Sequence, residues 1–241
     1  LTYAFCAAAQ GGCQLNLGNL SAGTHQVVVR PTSNGTRTMQ FTATLSSDVT
    51  GELVPDQAHS ISLSRHGQNG RLTFAGAAGE TVVLSAQSQV TSPSSQPVTY
   101  AVYRPDGGLL SSGSSTGSAL ALNLPQLPVT GQYTVFVDPL YGATLVAELT
   151  RVTGVDAVLA VDGTPMPYAT VAPGQNAYFS FTAAAGANLG LGLGELVTPE
   201  STSSVIVDVY RPDGSYLTYA FCAAAQGGCQ LNLGNLSAGT H

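Results

Sequence analysis

Residues 99–107 read Thr-Tyr-Ala-Val-Tyr-Arg-Pro-Asp-Gly, and residues 207–214 read Val-Asp-Val-Tyr-Arg-Pro-Asp-Gly. A β-branched and aromatic run that stops at Arg-Pro-Asp-Gly is a strand leading into a turn. Pro sets φ for the first turn position, and Gly accepts the positive φ needed at its end. Similar short runs lie at Thr73-Phe74, Thr81–Ser85, Thr99–Tyr103, Leu120–Leu124, Tyr133–Val137 and Thr144–Leu149, and further on at Tyr178–Thr182, Leu189–Leu193, Val205–Tyr210 and Gln230–Leu233. Gly, Pro, Asn, Asp and Ser clusters separate them at the spacing of a sandwich or barrel. No 12-residue stretch keeps a 3.6-residue apolar period. The Ala-rich segments Ala183–Ala187 and Ala223–Ala225 are too short to be stable helices and read as turns.

The two Tyr-Arg-Pro-Asp-Gly segments are 107 residues apart. The same offset relates Gly67-Gln68-Asn69 to Gly174-Gln175-Asn176, and Phe74 to Phe181. Leu122-Asn123-Leu124 answers Leu231-Asn232-Leu233, and Tyr133–Pro139 answers His25–Pro31. A longer and perfect repeat encloses these: residues 1–25 recur letter for letter at 217–241, a shift of 216. Each period thus holds two diverged modules of about 107 residues, a single-domain size. The expected architecture is all-β, with tandem antiparallel, jelly-roll-like β-sandwich modules. Residues 1–50 read as the C-terminal half of a preceding B module, 51–153 as a complete module A, and 154–241 as the N-terminal part of a module B. Residues 1–25 and 217–241 hold equivalent positions in successive B modules. Thr50-Gly51-Glu52 and Thr153-Gly154-Val155 read as short linkers that keep the array semi-rigid.

The order of motifs resembles the bacterial pre-peptidase C-terminal domain. The segments that carry the likeness are Gly67-Gln68-Asn69, a strand with Phe74, Ala77-Ala78-Gly79, Tyr103-Arg-Pro-Asp-Gly107, Leu122-Asn-Leu124 and Gly131-Gln-Tyr-Thr-Val-Phe-Val137. In that family the matching segments run F-x-F-x-A-x-A-G, Y-x-P-D-G and G-x-Y-x-V-x-V. The resemblance implies a β-sandwich and an extracellular bacterial setting. It implies no catalytic residues, because that domain is an accessory. The chain departs from the pattern at His25 and His241, where the last motif has Tyr; packing at a half-buried strand start is the expected role of both.

Seven basic residues, all Arg, stand against thirteen acidic ones, and the net charge is −6. Binding to nucleic acid needs a basic stripe that displaces counterions, and none is present. No apolar run reaches the length of a membrane span. Charged residues are only 8% of the chain, so little repulsion opposes end-to-end or lateral self-association. Absence of Lys also removes a common guard of sheet edges.

Cys6 and Cys13 recur as Cys222 and Cys229, with Ala-Ala-Ala-Gln-Gly-Gly between each pair and no His beside them. That pattern is a poor zinc site. It reads as an intramodule disulfide, with intermolecular cross-linking and free thiols as alternatives, and it favours a secreted or cell-surface protein. Tyr3, Phe5, Tyr219 and Phe221 beside these loops read as a core strand, with a contact patch as the alternative.

Other motifs carry little chemistry. Gly113-Ser114-Ser115-Thr116-Gly117 matches a nucleophile elbow, but that elbow needs a strand feeding a helix and a later His; the segment reads as a flexible hairpin turn. His59 and His66 with Asp56 lack a third metal ligand at a fixed spacing. Asp106, Asp213, Asp138, Asp156 and Asp162 are expected in turns, and no D-x-D-x-D-G calcium loop accompanies them. Asn19, Asn34 and Asn235 fit the N-glycosylation acceptor pattern. The chain reads as a non-enzymatic fibre segment that needs no cofactor; an adhesin stalk or a glycan- or peptide-binding module is the alternative.

Overall fold

The computed structural model describes residues 2–7, 12–32, 38–154, 156–199 and 202–241. It divides into two units. Unit 1 comprises Leu1–Gly154 with Thr170–Asn176, and unit 2 comprises Val155–Ala169 with Ala177–His241.

Unit 1 holds nine strands: β1 (Val49–Glu52), β2 (Ala58–Leu63), β3 (Gly70–Gly76), β4 (Val82–Ser92), β5 (Val98–Tyr103), β6 (Leu109–Ser115), β7 (Leu120–Asn123), β8 (Gly131–Pro139) and β9 (Thr144–Thr153). They form a five-stranded sheet in the order β1-β3-β8-β5-β6 and a four-stranded sheet in the order β2-β9-β4-β7. All ladders are antiparallel except β1 with β3, which is parallel. Alternation explains the core. Leu72 and Phe74 of β3, Tyr100 and Val102 of β5, and Tyr133, Val135 and Val137 of β8 point inward from the first sheet. They meet Ile61, Leu63, Leu84, Leu145, Ala147 and Leu149 of the second. Each fully buried side chain of this kind is worth about 1.5–3 kcal/mol of transfer free energy.

Two polar devices are sealed in this core. Tyr100 donates its hydroxyl to Gln89 Oε1 at 2.7 Å, and Gln89 Nε2 donates to the carbonyls of Ser115 and Gly117. Burial pushes the Tyr100 phenol well above its ordinary range. Arg151, only 4% exposed, pairs with Glu80 and lies over the Phe74 ring.

The Arg-Pro-Asp-Gly segments are turns of one design. Arg104 N donates to Gly108 O and Gly107 N to Arg104 O; Arg211 N donates to Ser215 O and Gly214 N to Arg211 O. Gly107 and Gly214 take φ of 82° and 79°.

Three sequence expectations need correcting. Gly113–Ser115 is not a free turn but the end of β6, paired with β5. Its Ser/Gly composition hides a strand whose ladder is set by its neighbour. Val49–Glu52, expected as linker, is strand β1, because its backbone finds β3 alongside. Asp138 lies on β8 and Asp156 on a strand of unit 2, not in turns.

Unit 2 contains β10 (Asp156–Val158), β11 (Tyr178–Ser180), β12 (Thr182–Ala183), β13 (Leu189–Leu193), β14 (Ser204–Tyr210), β15 (Tyr216–Ala223), β16 (Cys229–Leu233) and β17 (Gly239–Thr240). The ladders are β10–β11, β12–β17, β13–β16 and β14–β15, the first parallel. They match β1–β3, β3–β8, β4–β7 and β5–β6 of unit 1 in turn. Phe181, Ala183, Val209, Leu231, Leu233 and Leu236 form its core.

The identical ends take unlike conformations. Residues 217–241 supply most of β15, all of β16 and β17, whereas the described residues of 1–25 form no strand. A strand exists only with a ladder partner for its N–H and C=O groups. The second copy has β13 and β14 beside it; their counterparts in a preceding module are not part of this chain.

Candidate functional site

The feature that recurs most closely is the contact made where one module meets the next. Within unit 1, Gln14 and Asn16 lie against module A. Gln14 Nε2 donates to Asp138 Oδ1, and Asn16 Nδ2 donates to Asp138 Oδ2 at 2.8 Å. Gln14 Oε1 accepts from Gly142 N at 3.0 Å, while the Gly142 carbonyl bonds His66 Nδ1. Asn69 Nδ2 donates to Asn16 Oδ1 at 2.8 Å. The adjoining Gln68 is buried; its Oε1 accepts from Ser64 N and its Nε2 reaches Ser47 O. Burial raises the Asp138 carboxyl above its ordinary value; the Asn16 and Gln14 bonds oppose that rise, and nearby Asp48 adds to it.

The same device appears 107 residues later. Asn176 N donates to Asn123 Oδ1 at 2.9 Å, and Asn123 Nδ2 donates to Gly174 O at 2.9 Å. Gln175 Oε1 accepts from Val171 N and Ala172 N, and its Nε2 reaches Thr153 O. Both pairs, Asn16 with Asn69 and Asn123 with Asn176, are 53 residues apart. In each case the glycine of Gly-Gln-Asn has a left-handed φ, 70° at Gly67 and 73° at Gly174. A Cβ on Gly174 would sit 2.5 Å from that of Ala121, and one on Gly67 would touch Gln14, the residue aligned with Ala121. The strap from Thr170 to Asn176 is thus bound onto unit 1, where Ala172 packs with Val83 and Val152.

The cysteines pair as Cys6–Cys13 and Cys222–Cys229, with Cα–Cα distances of 5.0 and 4.9 Å. In unit 2 the bridge joins the end of β15 to the start of β16, across a 3₁₀ turn at Ala224–Gln226. Disulfides of this kind belong to an oxidising compartment.

The neighbouring aromatics are not core. Tyr219 and Phe221 are 53% and 64% exposed and meet edge to face at 5.4 Å; Tyr3 and Phe5 repeat the pairing at 5.5 Å. The expectation of a buried strand fails because alternation sends Cys222 inward and Phe221 outward.

Other residues singled out in the sequence do not converge. His59 is on β2 and His66 follows it, bonded to the Gly142 carbonyl. Asp106, Asp162 and Asp213 each accept the backbone N–H two residues on, as turn residues do. Among the described residues no group of three His, Cys, Asp or Glu could hold a metal ion, and no helix is long and apolar enough to cross a membrane. Asn19 and Asn235 occupy left-handed turns, and Asn34 lies outside the described residues.

No family model and no curated protein matches the chain. Two solved structures resemble it. The pre-peptidase C-terminal domain of a Bacillus anthracis collagenase is 15% identical, spans 43% of this chain and 93% of its own, and has a TM-score of 0.34. PliG of Aeromonas hydrophila, a periplasmic inhibitor of g-type lysozyme, is 13% identical, spans 43% of this chain and 98% of its own, and scores 0.27. Likeness at this level is weak and carries no functional argument.

Proposed function

We propose that this chain is a structural, non-enzymatic segment of an extracellular bacterial fibre built from tandem β-sandwich modules. The observation that carries the reading is the perfect recurrence of residues 1–25 at 217–241. Repeat arrays span distance or multiply one surface, and their stability is a sum of module cores and nearest-neighbour contacts. The Asn contact made at both module boundaries supports a joint of one design. Low charge and exposed aromatic pairs favour self-association, end to end and side by side, in a secreted or cell-surface setting.

Electron microscopy of the native assembly, with and without reductant, tests this. A filament whose axial repeat matches two modules is the expected result; dispersed globular particles at high concentration would overturn it. An adhesin stalk or a glycan- or peptide-binding module is the second reading, favoured by the exposed Tyr219–Phe221 pair. Binding to a glycan array without filaments would select it.

A further inference from the structure

The outer face of β16 presents Gln230 and Asn232 to solvent, while Leu231 and Leu233 point into the core of unit 2. These two exposed residues occupy, within the 25 repeated residues, the positions of Gln14 and Asn16. In the same chain Gln14 and Asn16 already hold the end of a module A: they donate two amide bonds to Asp138, accept the Gly142 N–H, and pair with Asn69. We infer that Gln230 and Asn232 form a docking face for the end of module A of a second copy, made of Gly67–Asn69, Asp138 and Gly142. This deepens the fibre reading and rests on it for the existence of a following repeat.

The chemistry also selects which module docks. Two side-chain amides donating to one carboxylate demand an acceptor at position 138, and charge-assisted bonds of that kind are among the stronger ones. The B-module residue aligned with Asp138 is Arg30, which has no acceptor. Correspondingly, the module A strand that faces a B strap carries Ala121 where the B strand carries Gln14. A B end therefore takes an A module, and an A end takes a B module. Alternation is enforced by an unmatched donor pair rather than by linker length.

In the unsubstituted chain the module A end is occupied by its own Gln14 and Asn16, whose tether gives them a high effective concentration. Removing them frees it for β16 of another copy. Sedimentation equilibrium of the Gln14→Ala/Asn16→Ala chain, up to millimolar concentration, should show at least a twofold rise in weight-average mass. The unsubstituted chain stays monomeric over that range. Adding Gln230→Ala/Asn232→Ala, or separately Asp138→Arg, should return the substituted chain to a monomer. Hydrogen exchange across β3 and β8 checks that module A is intact, and Asn16→Ala alone serves if the double change disturbs it. The inference is overturned if the freed chain stays monomeric or if association survives loss of Gln230 and Asn232. A native filament seen beside either result would sink the docking face while leaving the array standing.

Discussion

His241 stacks on Phe181 with ring centroids 5.1 Å apart and planes 8° from parallel, in the place where Tyr133 stacks on Phe74 at 5.3 Å and 12°. The backbone pairing agrees, since Phe181 and His241 exchange both hydrogen bonds as Phe74 and Tyr133 pair in β3–β8. Even the polar end is kept: Tyr133 donates to the carbonyl four residues back, and His241 Nε2 lies 3.2 Å from the corresponding Ser237 carbonyl. The Tyr-to-His departure is thus a conservative exchange of one flat, hydrogen-bonding ring for another. His241→Tyr should leave unit 2 intact, whereas His241→Ala should cost about 1 kcal/mol or more through the lost ring pair. Denaturant midpoints of the two variants, followed by exchange at Thr182 and Ala183, make the comparison.

The β8 strand of unit 1 runs between β3 and β5, and its counterpart in the repeat is His25–Pro31. Val27 and Val28 are exposed in this chain, and β14 pairs only with β15 among the described residues. A synthetic peptide spanning residues 25–48 should therefore slow exchange of the Ser204–Tyr210 amides when added in trans. A peptide with Val27 and Val29 changed to Asp should not. Unaltered exchange with the native peptide would refute the pairing.

Arg151 is buried beside Glu80 under the β4–β9 ladder. Glu80→Ala leaves a guanidinium in the core without its carboxylate, which should destabilise unit 1 by about 3 kcal/mol. Replacing the pair together, Glu80→Leu with Arg151→Met, should recover most of that loss. A double-mutant cycle from urea melts measures both.

Asp138 has a carboxyl raised by burial. A carboxyl that binds its proton more tightly when folded contributes stability that is present below the ordinary Asp range and lost as pH rises through the raised value. Asp138→Asn keeps an acceptor for Gln14 and Asn16 and removes the titration. Raising pH from about 3.5 to 7 should thus weaken the unsubstituted chain relative to Asp138→Asn. Parallel melts across that window read the difference; a constant difference would be the contrary outcome.

The Cys222–Cys229 bridge closes a seven-residue separation between two paired strands. Loop-closure entropy makes Cys222→Ser with Cys229→Ser cost unit 2 about 2.5 kcal/mol. The same change at Cys6 and Cys13 should leave unit 1 melting almost unaltered, because no described strand of unit 1 lies within residues 1–25. Separate melts of the two variants report this.

Much of the fold was legible locally. The β-branched runs, the Arg-Pro-Asp-Gly turns and the internal offset each arise from neighbours a few residues away, so periodicity and turn chemistry suffice to place them. β6 and β1 escaped because Ser, Gly and a four-residue run carry weak β propensity; their strands are imposed by β5 and β3. The boundary site was half visible. Gly-Gln-Asn and Leu-Asn-Leu stood out as repeated marks, but nothing in the order of residues says that marks 53 positions apart touch.

From its residues alone this protein is an all-β chain in two related modules, with one closed cysteine loop in every longer period. Those properties follow from alternation, turn stereochemistry and short-range closure, none of which needs a distant partner. Tertiary structure alone decided that one 25-residue sequence is a paired ribbon at one end and strandless at the other. It also decided that Tyr219 and Phe221 face solvent and that Gln14 and Asn16 seize Asp138. Ladder hydrogen bonds and burial are contributed by whatever lies alongside, so identical residues with different neighbours reach different free-energy minima.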